Sequence, residues 1–451
     1  MVSSLDFWLF GWRKPKTIDD YVEIARSSVT SLNVSFNDNI DEPIHRWIRF
    51  PAGFSAELVR VSFKVFGIEK GQMVLDPFTG SGTLNVEAKR LGINSIGIEA
   101  HPLLVKIARV KVNWELDIRR LRTLSENIFT KIRHGFEKGE YRSINIDDVP
   151  ELLLKVYDRE VLQKLYYVRN VINAVEMDND EKEFFELALL AILRETTSVD
   201  VGWPYILPKK TKRKPKEVYQ AFVDKVTTMI SDLELVKRES AKAHAVIYES
   251  DARNMKEVED ESVDFIFTSP PYLNNYDYAD RTRLELYFLG WCKTWGEITE
   301  KVRKRLIISS TTQIVKSEIV PMKLSDLIPD DVREELMRKI MQLKIEKNKH
   351  GGKKDYDFMV LGYMNDMAKA LKEMARTLKP GKYAVMILGD SAPYGVYIPT
   401  HEYLGKIATN VGFSEYRTLL LRKRGDKWKY VKETGRRHGV SLGEYMLILR
   451  K

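Results

Sequence analysis

Two short stretches of this 451-residue sequence combine residue types that can do chemistry. The first is Val74-Leu75-Asp76-Pro77-Phe78-Thr79-Gly80-Ser81-Gly82-Thr83. Its two glycines let the backbone swing from a strand into a helix and approach a ligand with no Cβ in the way. Asp76, at the strand end, can accept hydrogen bonds from a cationic amine, and Glu99, ending the next strand, can bind the two hydroxyls of a ribose. The G-x-G-x-x-G spacing of a dinucleotide site is absent, and no Gly-Lys-Ser/Thr follows to make a phosphate loop. A ligand with an adenosine, an amine and no phosphate suits the turn: S-adenosylmethionine. The second stretch is Phe267-Thr268-Ser269-Pro270-Pro271-Tyr272. Two prolines fix this backbone, and Pro270 has no N–H, so nearby carbonyls stay free to face a ligand. An exocyclic base amine is a poor nucleophile because its lone pair is delocalised into the ring. If the Ser269 hydroxyl and the Pro270 carbonyl accept its two hydrogens, the nitrogen is drawn toward a pyramidal geometry. Tyr272 can then stack on the base, a contact worth roughly 1–3 kcal/mol. Each stretch also has a bland reading, as a glycine turn serving the fold or an ordinary Pro-Pro loop.

The elements that must position these residues show a strand–turn–helix rhythm. Met73-Val74-Leu75 and Ser95 to Glu99 read as strands around a helix from Leu84 to Leu91, the spacing of one βαβ unit. Val246-Ile247-Tyr248 and Val263 to Phe267 read as strands, as do Ala384 to Leu388, Arg417 to Leu421 and Glu444 to Leu449, with a helix from Thr400 to Val411. The alternation predicts an α/β fold, a Rossmann-like, mainly parallel seven-stranded sheet with helical insertions. Residues 1–117 hold an N-terminal segment and the first half of the sheet domain, and 241–451 its second half. A helical, basic insertion spans 118–240 and a second spans about 273–357. Within the first, the run from Pro208 to Lys216 has prolines and no apolar period, which predicts a loop.

The turn from Asp76 to Thr83 together with Ser269 to Tyr272 resembles the cofactor and catalytic motifs of the S-adenosylmethionine-dependent amino-methyltransferases of nucleic acids, the DNA cytosine-N4 and adenine-N6 enzymes. Phe50-Pro51-Ala52-Gly53-Phe54-Ser55 is similar to the family segment covering the methionine end of the cofactor, Asp251 to the acid that reads its adenine amine, and Glu444 to Leu449 to the last strand. The resemblance implies a cofactor set of Phe54, Ser55, Asp76, Pro77, Phe78, Thr79, Gly80, Ser81, Gly82, Thr83, Glu99, Asp251, Ala252 and Thr268, with Ser269, Pro270, Pro271 and Tyr272 catalytic. The serine form of the catalytic motif leans toward cytosine N4. Here the cofactor motif comes first, whereas many cytosine-N4 enzymes have the reverse order, and neither insertion resembles a known target-recognition domain. DNA cytosine N4 therefore leads, cytosine N4 of ribosomal RNA follows, and adenine N6 of DNA is third. Cytosine C5 chemistry needs an attacking thiolate, and the one thiol, Cys292, lies in Gly290-Trp291-Cys292-Lys293 without a Pro-Cys loop.

Other features bear on the substrate. Asn274, Asn275, Tyr276, Tyr278 and Arg281 could hold an extruded base, or belong to a polar loop capping the helix from Thr282 to Leu289. Asp277 could accept a proton, although the attacking nitrogen can lose its proton to water. Lys209, Lys210, Lys212, Arg213, Lys214 and Lys216 form a run of six cations without an acid, suited to phosphates. The whole chain has 73 Lys and Arg against 64 Asp and Glu, a net charge of +9 that fits a polyanionic partner. Its seven histidines lack ligand spacing, so no metal is assigned. The lone cysteine, the brief Phe7-Trp8-Leu9-Phe10 patch and the absence of any long apolar run predict a cytoplasmic protein without a membrane partner. Two rivals remain: an idle nucleic-acid-binding scaffold, and a methyltransferase of small-molecule or protein amines.

Overall fold

The structure is a computed structural model and describes residues 15, 17–29, 39–50, 53–201, 207–211, 214–239, 242–314, 323–424, 429–430 and 440–451. In chain order the helices α1 (Ile18–Val29) and α2 (Ala56–Val65) precede β1 (Met73–Asp76), α3 (Thr83–Arg90), β2 (Asn94–Glu99) and α4 (Pro102–Val112). The first insertion supplies α5 (Ile118–Glu137), α6 (Glu151–Val156), α7 (Arg159–Ala174), α8 (Asn179–Thr196), β3 (Val199–Asp200), β4 (Leu207–Thr211) and α9 (Val218–Glu239). Then come β5 (Ala245–Glu249), β6 (Val263–Thr268), α10 (Tyr278–Arg281), α11 (Arg283–Leu289), α12 (Trp295–Lys301), α13 (Asp330–Lys349) and α14 (Tyr356–Thr377). The chain closes with β7 (Leu378–Gly389), α15 (Thr400–Asn410), β8 (Glu415–Lys423), β9 (Lys429–Tyr430), β10 (Val440–Ser441) and β11 (Gly443–Arg450).

Seven strands form one sheet in the order β5-β2-β1-β6-β7-β11-β8. The first five run parallel, and β11 is antiparallel to both β7 and β8. All six residues of β6 are buried, as expected of a central strand covered on both faces. From Phe265 its side chains alternate: Phe265 and Phe267 join a core beneath α1, α2 and α3, whereas Ile266 joins one beneath α13, α14 and α15. From β1 the chain runs outward to β2 and β5, then returns to add β6 on the other flank of β1. The strand order therefore reverses between β1 and β6, which opens a crevice at their carboxyl ends, where open α/β sheets bind ligands.

The first insertion is not a separate ball. One hydrophobic core runs from Leu103, Leu104 and Ile107 of α4 through Phe184, Leu187 and Phe222 of α8 and α9 to Leu284 and Phe288 of α11. The basic run departs from the expected loop, because its first part is β4, paired antiparallel with Val199 and Asp200 of β3. A proline is tolerated in a two-stranded ribbon because an edge strand needs no donor on its outer side. Lys214 to Glu217 are exposed. Lys212 and Arg213 lie outside the described residues, as do Pro51 and Ala52. Among the described residues no helix is long and apolar enough to cross a membrane.

Candidate active site

Strand β1 delivers Asp76 to the crevice, and the chain then turns on two left-handed glycines, Gly80 (φ +55°) and Gly82 (φ +83°). A Cβ on Gly82 would stand 3.2 Å from the Ala108 methyl, so the turn packs directly on α4. Thr79 donates its hydroxyl to the Asp76 carbonyl (3.0 Å). Gly80 donates its N–H to one oxygen of Glu99 and His101 donates its N–H to the other, both at 2.8 Å. Fully buried Lys111 donates to the Ser81 carbonyl (2.8 Å) and holds the turn from beneath, with burial pulling its pKa down to about 7.

The second motif arrives on the neighbouring strand. Thr268, the last residue of β6, donates its hydroxyl to Asp76 Oδ1 at 2.6 Å, and Phe78 adds its N–H to the same oxygen at 3.0 Å. The other oxygen, Asp76 Oδ2, is buried without a partner among the described residues. Burial pushes Asp76 up to about 7, with Glu99 adding to the rise, and burial likewise lifts Glu99 to about 7. A desolvated acid with an unused oxygen is the arrangement an incoming ammonium group would satisfy.

Both motifs line one cavity. Of the sequence-predicted residues, Phe54, Pro77, Phe78, Thr79, Gly80, Ser81, Thr83, Glu99, Asp251, Ala252, Ser269, Pro271 and Tyr278 face it. Asp76, Gly82, Thr268, Pro270 and Tyr272 stand behind that lining, and Ser55 caps α2 by accepting from the Leu58 N–H (3.2 Å). The residue fit to S-adenosylmethionine is therefore good: an unsatisfied buried carboxylate, a second acid held by two N–H groups, and a third, Asp251, in the same lining. Asp251 is already bonded by Arg253 Nε, 2.9 Å from each oxygen, and Arg253 also pairs with Asp366 (3.1 Å).

The loop after the catalytic turn is braced. Asn274 sits at φ +59° with its N–H on the Ser309 carbonyl (2.8 Å). Asp277 caps α10 through the Ala279 and Asp280 N–H groups and accepts from Arg303 Nε and the Thr312 hydroxyl, each at 2.7 Å. Asp277 thus caps the short α10, whereas α11, the helix expected from Thr282 to Leu289, has no side-chain cap. Arg281 is buried, with its guanidinium 4.9 Å from the Tyr276 ring centre. Asn275 is half-buried. Lys209 and Lys210 lie on β4, and Lys216 pairs with Glu195 (2.6 Å).

Sequence reasoning missed part of the wall. Arg305, Leu306 and Ile307 come from the second insertion, and nothing in their local pattern announces a ligand. His101 also faces the cavity; its Nε2 lies 2.8 Å from the Thr282 hydroxyl, and burial depresses its pKa to about 3, so the ring is neutral. A second cavity, about 540 Å³, shares Phe50 and Leu104 with the first and is lined by Arg46, Arg49, Arg194 and Lys225.

Residues 16–110 match the N6/N4 methyltransferase family model, described as a DNA methylase. The chain is 28% identical to the type II methyltransferase M.BsoBI of Geobacillus stearothermophilus, an alignment covering 96% of this chain and 90% of that one. It is 23% identical to the type II methyltransferase M.AvaI of a Nostoc species (87% and 84% covered) and 23% identical to M.MvaI of Kocuria varians (92% of each). Two motifs meeting at the switch point of a seven-stranded sheet thus accompany similarity to the N4/N6 DNA methylases, in a domain model and along most of the chain.

Proposed function

We propose that the chain transfers a methyl group from S-adenosylmethionine to an exocyclic amine of a DNA base, with cytosine N4 the leading target. The observation that carries this reading is the Thr268–Asp76 hydrogen bond, which ties the cofactor turn to the catalytic turn on one cavity. When bound, the cofactor supplies an electrophilic methyl carbon on a sulfonium. Asp76 would hold its amine, Glu99 its ribose and Asp251 its adenine edge, with Phe54 and Phe78 as apolar walls. The Ser269 hydroxyl and the Pro270 carbonyl would each accept one hydrogen of the target amine, and Tyr272 would stack on the extruded base. Tyr276, Tyr278 and the amides of Asn274 and Asn275 would line the base's path.

DNA as the polymer is supported by the description of the matching family model, and type II methyltransferases are the relatives found. Ribosomal RNA, second in the sequence reading, has no such support. The serine at position 269 favours cytosine N4 over adenine N6. Lys209, Lys210, Lys212, Arg213 and Lys214 would contact phosphates, and the arginine-lined second cavity would take the strand beside the target nucleotide. The first insertion would then act as the substrate-gripping part of the chain. A cytoplasmic setting agrees with the single, buried free thiol. The test is transfer of tritium from labelled cofactor to duplex DNA, total RNA and ribosomal subunits, followed by nucleoside analysis. N4-methylcytosine in duplex DNA is the expected product. Label confined to N6-methyladenine would reassign the base, and label confined to RNA would reassign the polymer.

A further inference from the structure

The catalytic turn is wired to the far side of the sheet. Tyr272 donates its hydroxyl to Glu444 Oε1 at 2.9 Å, and Arg422 Nε donates to Glu444 Oε2 at 2.5 Å. Glu444 sits on β11, opposite Gly389 of β7 and Arg422 of β8. A bulge between Glu444 and Tyr445 skips one residue of β8, so the partner of Tyr445 is Leu420. Bulges of this kind re-aim side chains beside functional sites. Gly389 is also required here, since a Cβ would stand 3.0 Å from the Tyr272 ring.

We infer that Glu444 is a positioning residue that fixes the Tyr272 phenol, and with it the pose of the ring proposed to stack on the target base. This rests on the catalytic role proposed for the turn from Ser269 to Tyr272. A carboxylate held by an arginine only accepts, so the phenol must donate to it. Without Glu444 the phenol loses that acceptor and the ring is free to leave its pose. Glu444 is 7% exposed, whereas the Arg422 side chain is 47% exposed, so the relay is anchored at the surface and ends inside.

The experiment compares single-turnover methyl transfer at saturating cofactor and DNA for Glu444→Gln, Glu444→Asp, Tyr272→Phe and the Tyr272→Phe/Glu444→Gln double variant. Melting temperatures and cofactor affinities are measured alongside. Glu444→Gln can present its amide N–H₂ to the phenol, so it and Tyr272→Phe should each slow the step about tenfold or more. The double variant should be no slower than the slower single one, because the two residues act in series. Glu444→Asp, which keeps the charge, should recover part of the rate, with cofactor affinity unchanged within about twofold throughout. Losses that multiply in the double variant would overturn the inference. So would a Glu444→Gln defect confined to melting temperature or cofactor affinity. Ser269→Ala separates the two levels: full activity there refutes the catalytic reading and this one with it. An inactive Ser269→Ala beside a fully active Glu444→Gln refutes only the role of Glu444.

Discussion

Burial makes Asp76 hard to ionise. Burial moves its pKa from 3.8 to about 7, so the folded chain holds this proton more tightly than the unfolded one. The sign follows: the charged carboxylate destabilises the fold increasingly as pH rises from about 4 to about 7, and the full cost remains above pH 7. Asp76→Asn should therefore melt higher than the parent at pH 8 without cofactor, and the gap should close at pH 4. A cationic amine reverses the balance, since it favours the ionised acid. Cofactor affinity should rise as pH climbs through about 7, and Asp76→Asn should bind about tenfold or more weaker at pH 8 with a flatter pH profile, readable by titration calorimetry. Asp76 was legible because its type, its strand end and its glycines lie within eight residues. Glu444 was not: its partners are a tyrosine 172 residues earlier and an arginine on a third strand, and only the fold joins them.

Strands and turns were legible where the physics is local. Val263 to Phe267 is a continuous apolar run because β6 is covered on both faces, and Gly80 and Gly82 occupy left-handed backbone that other residues avoid. Gly82→Ala should destabilise the fold by about 2 kcal/mol through its contact with Ala108 and should weaken cofactor binding, measured by denaturant titration and cofactor affinity. The lysines and prolines of the basic run lack a period and so predict a loop; pairing with Val199 and Asp200 overrides that. Arg305 to Ile307 reach the cavity from an insertion whose sequence gives no ligand pattern. The cap at Asp277 offers a sharper test. Asp277→Asn keeps a side-chain acceptor for α10 and should retain turnover within about threefold, whereas loss of a true general base costs about 10²-fold or more. Asp277→Ala strips the partner from buried Arg303 and should cost about 3–5 kcal/mol in stability.

At the scale of the molecule, the strand order brings two turns, tied together by residues 192 positions apart, onto one cavity. A helical layer continuous with the sheet's own core flanks it. The net charge of +9 suits a polyanion, and long-range attraction of that kind weakens with salt. Neutralising Lys209, Lys210, Lys212, Arg213, Lys214 and Lys216 should weaken DNA binding and lower the salt slope by about 0.9 for each phosphate that these cations no longer neutralise. An unchanged slope would move the polymer to the second cavity alone. Above all, the serine turn is assigned to the target amine and the glycine turn to the cofactor. Ser269→Ala separates these two jobs when methyl transfer and cofactor affinity are measured on the same preparation. Turnover should fall by about 10²-fold or more while cofactor affinity stays within about twofold of the parent. Undiminished turnover, or a loss traced to cofactor binding, would refute that division of labour.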